Sequence, residues 1–224
     1  MHIADGALVA PVLVTGGVLT AAGTIIGLRK LTMEAIPAAG VLSATFFVAS
    51  LVHFPVGPSS VHLIMNGLVG LVLGWVAFPA MLVALVLQAV FFGFGGVTVL
   101  GVNAFNIATP AVLMFYACRR GVLSPNRNIA VAWGAAAGAG AIMLTTIFVA
   151  VSLALSGQQF YLAAELTFVT HIPVMIIEGI VTAFAVYLVR TVKPELFEVL
   201  LRVDMPATQK SDRHAMPALE GESR

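Results

Sequence analysis

Residues 128–155 read NIAVAWGAAAGAGAIMLTTIFVAVSLAL, a run without a single Asp, Glu, Lys or Arg. About 20 apolar residues in a helix cross the roughly 30 Å hydrocarbon core of a bilayer. This stretch is long enough to do so with tilt, and no soluble fold needs a helix so bare of charge. Outward from it the same pattern recurs, broken by Gly, Pro or charge, and predicts helices over 8–28, 36–53, 61–78, 80–98, 105–118, 128–155 and 168–190. The division between 61–78 and 80–98 rests on Pro79 and its surroundings, so those two could form one bent element. The 105–118 run is short and is expected to be buried or tilted. The whole chain agrees: of 224 residues 60% are hydrophobic and 9% charged, with a mean hydropathy of +1.04. That is far too little charge to cover a soluble surface. The fold class expected is all-α integral membrane, embedded in a lipid bilayer.

Basic residues orient the spans. Arg29 and Lys30 follow the first, Arg119, Arg120 and Arg127 lie between the fifth and sixth, and Arg190, Lys193 and Arg202 follow the seventh. The connections near 54–60, 99–104 and 156–167 hold no Lys or Arg. The positive-inside rule makes the basic loops cytoplasmic, which with seven spans puts the N-terminus outside and the C-terminus inside. An even number of spans would undo this. Residues 1–202 are read as one transmembrane domain, and 203–224 as a polar cytoplasmic tail expected to be disordered. The net charge of +1 says nothing of nucleic acid, and none is expected as a partner. The single Cys118 excludes an intrachain disulfide and a thiolate cluster. Small residues crowd the first helix (Gly16, Gly17, Ala21, Ala22, Gly23, Gly27) and the sixth (Gly134 to Gly140). They suit close packing inside the monomer, or a sliding face for a partner membrane protein.

The chain opens Met1-His2-Ile3-Ala4-Asp5-Gly6, with no basic residue before Arg29, unlike a secretory signal. Of five histidines, His214 lies in the tail. The others, His2, His53, His62 and His171, fall near the outer face on the orientation above. Imidazole is the commonest neutral ligand of Zn, Cu, Ni and Co-like ions. His53 and His171 are each read as a structural residue or a ligand. His2 is special by position. Initiator methionine is trimmed when the second residue is small, and His is large, so Met1 is expected to stay. Once deformylated, its α-amine, the His2 backbone nitrogen and the His2 imidazole can chelate one ion through fused rings. A fourth nitrogen would complete a planar site of the kind that suits Cu(II), Ni(II) and low-spin Co(II). Hard ions such as Mg and Ca would not drive off the amide proton. His62 is the expected fourth donor. It ends the segment Pro55-Val-Gly-Pro-Ser-Ser-Val-His62, read as a rigid loop in which Ser59 and Ser60 orient the imidazole.

Asp5 is read as capping the first helix or contacting backbone amides, or else as lying behind the metal. Glu178 follows His171 by seven residues, so both share a helix face. An ionisable group within a span faces the protein interior, as part of a structural network or as a ligand. Asn103 and Asn106 are expected to satisfy backbone at a helix start near an outer loop. No G-x-x-x-x-G-K-[ST], H-E-x-x-H or G-x-S-x-G occurs, so no P-loop ATPase, zinc protease or serine hydrolase is expected.

The opening and the 55–62 segment, with Gly93-Phe-Gly-Gly-Val-Thr-Val-Leu-Gly-Val-Asn103 and His171-Ile-Pro-Val-Met-Ile-Ile-Glu-Gly179, resemble the CbiM and NikM families over roughly residues 1–192. These are the cobalt and nickel substrate-binding subunits of energy-coupling-factor ABC transporters. The resemblance implies a seven-helix fold with the N-terminus threaded into the protein. It implies Co(II) or Ni(II) held by the Met1 amine, the His2 backbone nitrogen and imidazole, and His62. It further implies a coupling subunit of the EcfT/CbiQ type, two CbiO-like cytoplasmic ATPases and a small CbiN-like membrane subunit, in a bacterial or archaeal cell membrane. The ion would be imported for cobalamin synthesis or for nickel enzymes, and the chain itself would be no enzyme and carry no cofactor. Some relatives have His where Phe94 stands here. The rival readings are a self-sufficient metal channel or secondary transporter, and a membrane enzyme with a histidine-bound metal.

Overall fold

The computed structural model describes residues 3–56, 59–192 and 197, with side chains except at 53–61 and 164. The tail 203–224 and the two presumed chelating residues lie outside this range. Seven α-helices carry the fold: α1 (Ala10–Lys30), α2 (Ile36–Ala49), α3 (Asn66–Leu73), α4 (Ala77–Phe92), α5 (Leu100–Val122), α6 (Arg127–Ala154) and α7 (Tyr161–Val192). An antiparallel hairpin of β1 (His53–Val56) and β2 (Ser59–His62) joins α2 to α3. Five helical stretches are long and apolar enough to cross a membrane, one of them running unbroken in hydropathy over Asn66–Phe92, and Met33–Ala49 is a sixth, shorter apolar stretch. The protein is a multi-pass helical membrane protein.

Several boundaries differ from the sequence reading. The fifth helix is not a short 105–118 piece. It begins at Leu100 and runs 23 residues through an internal Pro110. Pro cannot donate to the helix ladder, but it did not stop this helix. Consequently Asn103 and Asn106 sit inside the first two turns of α5, not at its start. The second helix ends at Ala49 because the chain turns into the hairpin, and the expected loop of 55–62 is that hairpin. Between the third and fourth helices the break comes at Gly74–Val76, a 3-10 turn, not at Pro79. Gly74 has φ of +54°, where a side chain would be strained. Pro79 sits in the first turn of α4, where a missing N–H costs nothing.

Contacts set the helix directions. Ser43 Oγ donates to the Ala80 carbonyl (2.8 Å) and Gln88 Nε2 to Ser50 Oγ (2.9 Å), so α2 and α4 run parallel. Asn66 Nδ2 donates to the Ile107 carbonyl (3.1 Å), Gly70 abuts Ala111 and Gly74 abuts Phe115, so α3 and α5 are parallel too. Asn106 Nδ2 to Ser152 Oγ (3.1 Å) and the Gly140–Met114 contact make α5 and α6 antiparallel. Gly138 against Glu178 and Thr182, and Gly134 against Val186, do the same for α6 and α7. Several of the small residues serve internal packing: a Cβ at Gly70 would strike the Ala111 backbone, and one at Gly16, Gly23 or Gly27 would meet Val102, Phe78 or Trp75 and Pro79, while Ala21 and Ala22 are exposed on α1.

The basic residues gather at one end of the bundle. Lys30 lies over Trp75, whose Nε1 donates to Tyr116 Oη, and Arg119 lies over that same Tyr116 ring. Arg127 covers Tyr187 at 4.1 Å. Arg190 donates to the carbonyls of Val122 and Ser124 (2.9 and 2.8 Å). At the opposite end lie the hairpin, the 93–99 loop and the N-terminal segment.

The short α3 is the exception among the helices. Its eight residues rise about 12 Å, and all eight are buried. It begins within the bundle, after the non-helical residues Leu63–Met65, and ends at the basic end. Irregular backbone at membrane depth is tolerated only inside protein, and burial on every side meets that condition.

Candidate metal centre

Ile3 is the first described residue, and it is 4% exposed. Its N–H donates to Asn103 Oδ1 (3.0 Å), and its carbonyl accepts from Asn103 Nδ2 (3.1 Å). A carboxamide presents the same donor–acceptor pair as a peptide edge, so Asn103 holds Ile3 as a neighbouring strand would. Two residues on, the Asp5 N–H donates to the Gly95 carbonyl (3.3 Å). Asp5 Oδ1 accepts from the Thr98 hydroxyl (2.5 Å) and from the N–H groups of Thr98 and Val99 (3.2 and 3.4 Å). The expected cap of the first helix is thus not made, since Val9 is the N-cap of α1 without a side-chain bond. Asp5 caps α5 instead, where Val99 precedes the first helical residue, because the 93–99 loop brings those amides to it. The bond from the Thr98 hydroxyl, with those from the backbone amides, holds the Asp5 carboxyl below its ordinary value against the opposing effect of desolvation. Gly96 (φ +148°) lies so close to this carboxylate that no side chain would fit there. The N-terminal segment is therefore clamped on two sides, at Ile3 and at Asp5.

His62 ends β2 and is 5% exposed, with Nδ1 donating to the Leu63 carbonyl (3.0 Å). Burial lowers its pKa from the ordinary value, more than the bond to that carbonyl raises it. His53 stands opposite His62 in the hairpin register, as Pro55 stands opposite Ser60 and Val56 opposite Ser59. The side chains of His53, Ser59 and Ser60 lie outside the described set, as do Met1 and His2. β2 packs on α7, the helix that carries His171. His171 is 4% exposed, and its Nδ1 donates to the Thr167 carbonyl (2.5 Å).

Glu178 is tied to the backbone just before α3. It is fully buried, and its Oε1 accepts from the N–H groups of Ile64 and Met65 (2.5 and 2.7 Å). Those amides precede α3, and Met65 is in the left-handed region at φ 55°. A carboxylate at a helix N-terminus is favoured by its dipole and by charge-assisted bonds. Asn66 is a residue that the sequence reading passed over. It is buried and bonded to the Ile107 carbonyl and to Thr145 Oγ1 (2.9 Å). A lone Asn within an apolar span was the available signal. Thr98 was likewise missed, although it lies in a stretch already singled out. Among the described residues no three of His, Cys, Asp and Glu converge on one point, so a site here needs donors of another kind.

A multi-pass helical membrane protein whose N-terminal segment is held by Asn103 and by the 93–99 loop at one end of the bundle defines the class. Residues 2–196 match the family described as cobalt uptake substrate-specific transmembrane region, CbiM. The chain belongs to that family, a substrate-specific membrane component of cobalt and nickel uptake. It is 43% identical over 201 residues to a Haemophilus influenzae protein named for metal transport, covering 88% of this chain and 96% of that one. It is 30% identical over 218 residues to the cobalt transport protein CbiM of Clostridium tetani, covering 89% and 88%. The fused nickel transport protein NikMN of Rhodobacter capsulatus matches over 118 residues at 36% identity, 48% of this chain and 33% of that one. A crystal structure of a truncated transition metal transporter superposes with a TM-score of 0.67 at 25% identity, covering 84% of this chain and 97% of that one.

Proposed function

We propose that this chain captures Co(II) or Ni(II) outside a bacterial or archaeal cell (inner) membrane for ATP-driven import. The Met1 amine, the His2 backbone nitrogen, the His2 imidazole and His62 hold the ion. The observation that carries this reading is the two-way bond between Ile3 and Asn103. It costs a flexible N-terminus much of its freedom before any ion arrives, and preorganisation of that kind raises affinity. His53, Ser59, Ser60 and Asp5 stand behind the ligands and steady them. Nitrogen donors in a planar set favour late first-row ions over Mg or Ca.

The chain crosses the membrane seven times, N-terminus outside, with α3 and its non-helical lead-in serving as one crossing. Support comes from the parallel α2 and α4, between which the chain must return, and from the basic residues gathered at one end. With no P-loop of its own, the chain works with an EcfT/CbiQ-like coupling subunit and CbiO-like ATPases. The fused NikMN relatives support a small CbiN-like subunit as a further partner.

Metal titration of the purified chain tests the site. His2→Ala, His62→Ala and a one-residue N-terminal extension should each lower affinity at least about 100-fold, the scale of losing one or more chelating donors. Unchanged affinity and stoichiometry in all three would end the reading. Uptake into liposomes by the chain alone, without any ATPase, would favour a self-sufficient transporter instead.

A further inference from the structure

We propose that His171 is a second imidazole donor to the transported ion, and that with His62 it forms a station that receives the ion when the N-terminal chelate lets go. This rests on the reading that His62 binds the ion.

Depth places the two rings at a similar level in the bundle. Glu178 accepts from the Ile64 amide, which ties a point on the non-helical lead-in to a point on α7. Two residues back along an extended chain, His62 lies about 7 Å nearer the outer end. Seven residues back along the helix, His171 lies about 10 Å nearer it. Because α3 and α5 are parallel and α7 is antiparallel to α6, both steps lead toward the same end. The packing of β2, which ends at His62, on α7 agrees with that placement.

Both rings also carry the same support. Nδ1–H of His62 donates to the Leu63 carbonyl, and Nδ1–H of His171 to the Thr167 carbonyl. Metal-ligating histidines are oriented in this manner, one ring nitrogen held by a carbonyl. A buried structural histidine would be expected to satisfy both nitrogens. His171 Nε2 is buried and has no hydrogen-bond partner. Glu178 Oε2 and Asn66 Oδ1, also buried without a partner, continue the set of acceptors inward, two turns along α7 and at the start of α3. An ion leaving the planar N-terminal site would meet an imidazole, then a carboxylate and an amide oxygen. Mixed nitrogen and oxygen donors hold Co(II) and Ni(II) more loosely than four nitrogens, as a release path requires.

The test titrates Co(II) alone into the full chain in detergent, followed by visible absorption, in a Cys118→Ala background. The N-terminal chelate is first broken by adding one residue before Met1. The extended chain should keep a weaker site, and His171→Gln in that chain should weaken it at least tenfold further. His171→Cys should keep the site and add a thiolate-to-Co(II) charge-transfer band, a positive signal that lost folding cannot produce once Cys118 is removed. Equal residual affinity with and without His171→Gln, and no such band, would overturn the proposal while leaving the N-terminal reading intact. If the extension itself costs no affinity, the N-terminal reading fails. The His171→Cys band then decides the proposal alone, its presence supporting it and its absence overturning it.

Discussion

Asn103 does what a strand edge would do, and it does so for a single residue, Ile3. Asn103→Leu keeps the volume but leaves both Ile3 backbone groups without partners in a buried site. Loss of an orienting partner of a metal ligand costs about 10–100-fold in affinity, so Co(II) or Ni(II) binding should weaken by that factor. Isothermal titration calorimetry on the variant checks it. The chelate itself makes a further prediction. Near pH 7 the amine, with an ordinary pKa of about 7.7–8.0, must lose its proton, and so must the His2 amide. Binding should release about two protons per ion, visible as a heat that changes with the ionisation enthalpy of the buffer. Asp5 sets a different pH window. Its pKa is lowered in the folded state, so its bonds to Thr98 and Val99 stabilise the fold above about pH 3.8 and are lost as pH falls through the lower, folded value. Asp5→Asn should lower the melting temperature at pH 7, and the two proteins should converge when acidified below that window.

Among the helices, α3 shows where periodicity fails as a guide. Its residues are as apolar as those of a full span, and hydropathy runs on from Asn66 to Phe92 without a mark. The turn at Gly74–Val76 and the left-handed Met65 come from tertiary contacts: Gly70 against Ala111, Asn66 against Ile107, and the Glu178 carboxylate above both. A left-handed non-glycine residue costs about 1–2 kcal/mol, and two charge-assisted bonds of about 1.5–3 kcal/mol each offset it. Glu178→Leu should then destabilise the protein by about 2–5 kcal/mol, because two buried amides lose their acceptor. Glu178→Gln retains an acceptor oxygen and should cost about 1 kcal/mol. Denaturant unfolding in detergent, followed by circular dichroism, measures both.

For the whole molecule, the directions of seven helices and the gathering of Lys30, Arg119, Arg127 and Arg190 at one end point the same way. Single cysteines report on this in intact cells. In a Cys118→Ala background, Gln158→Cys should react with an impermeant maleimide added outside. Arg120→Cys should react only after the membrane is opened. The reverse pattern would place the N-terminal segment and the hairpin in the cytoplasm, where they could not capture an incoming ion.

Composition, charge-free runs and basic loops determined the solvent, the helical class and the common end of the basic residues, because burial of a backbone in lipid leaves few alternatives to helix. His62, His171, Glu178 and Asn103 were all legible as polar residues too costly to lie idle in such a chain. What they bond was not. Only the tertiary structure pairs Asn103 with Ile3, turns Asp5 from the first helix to the fifth, and sets Glu178 over the start of a half-length helix. Each of those bonds joins residues roughly a hundred positions apart, and a local pattern of hydropathy holds no information about which distant backbone group a polar side chain will meet.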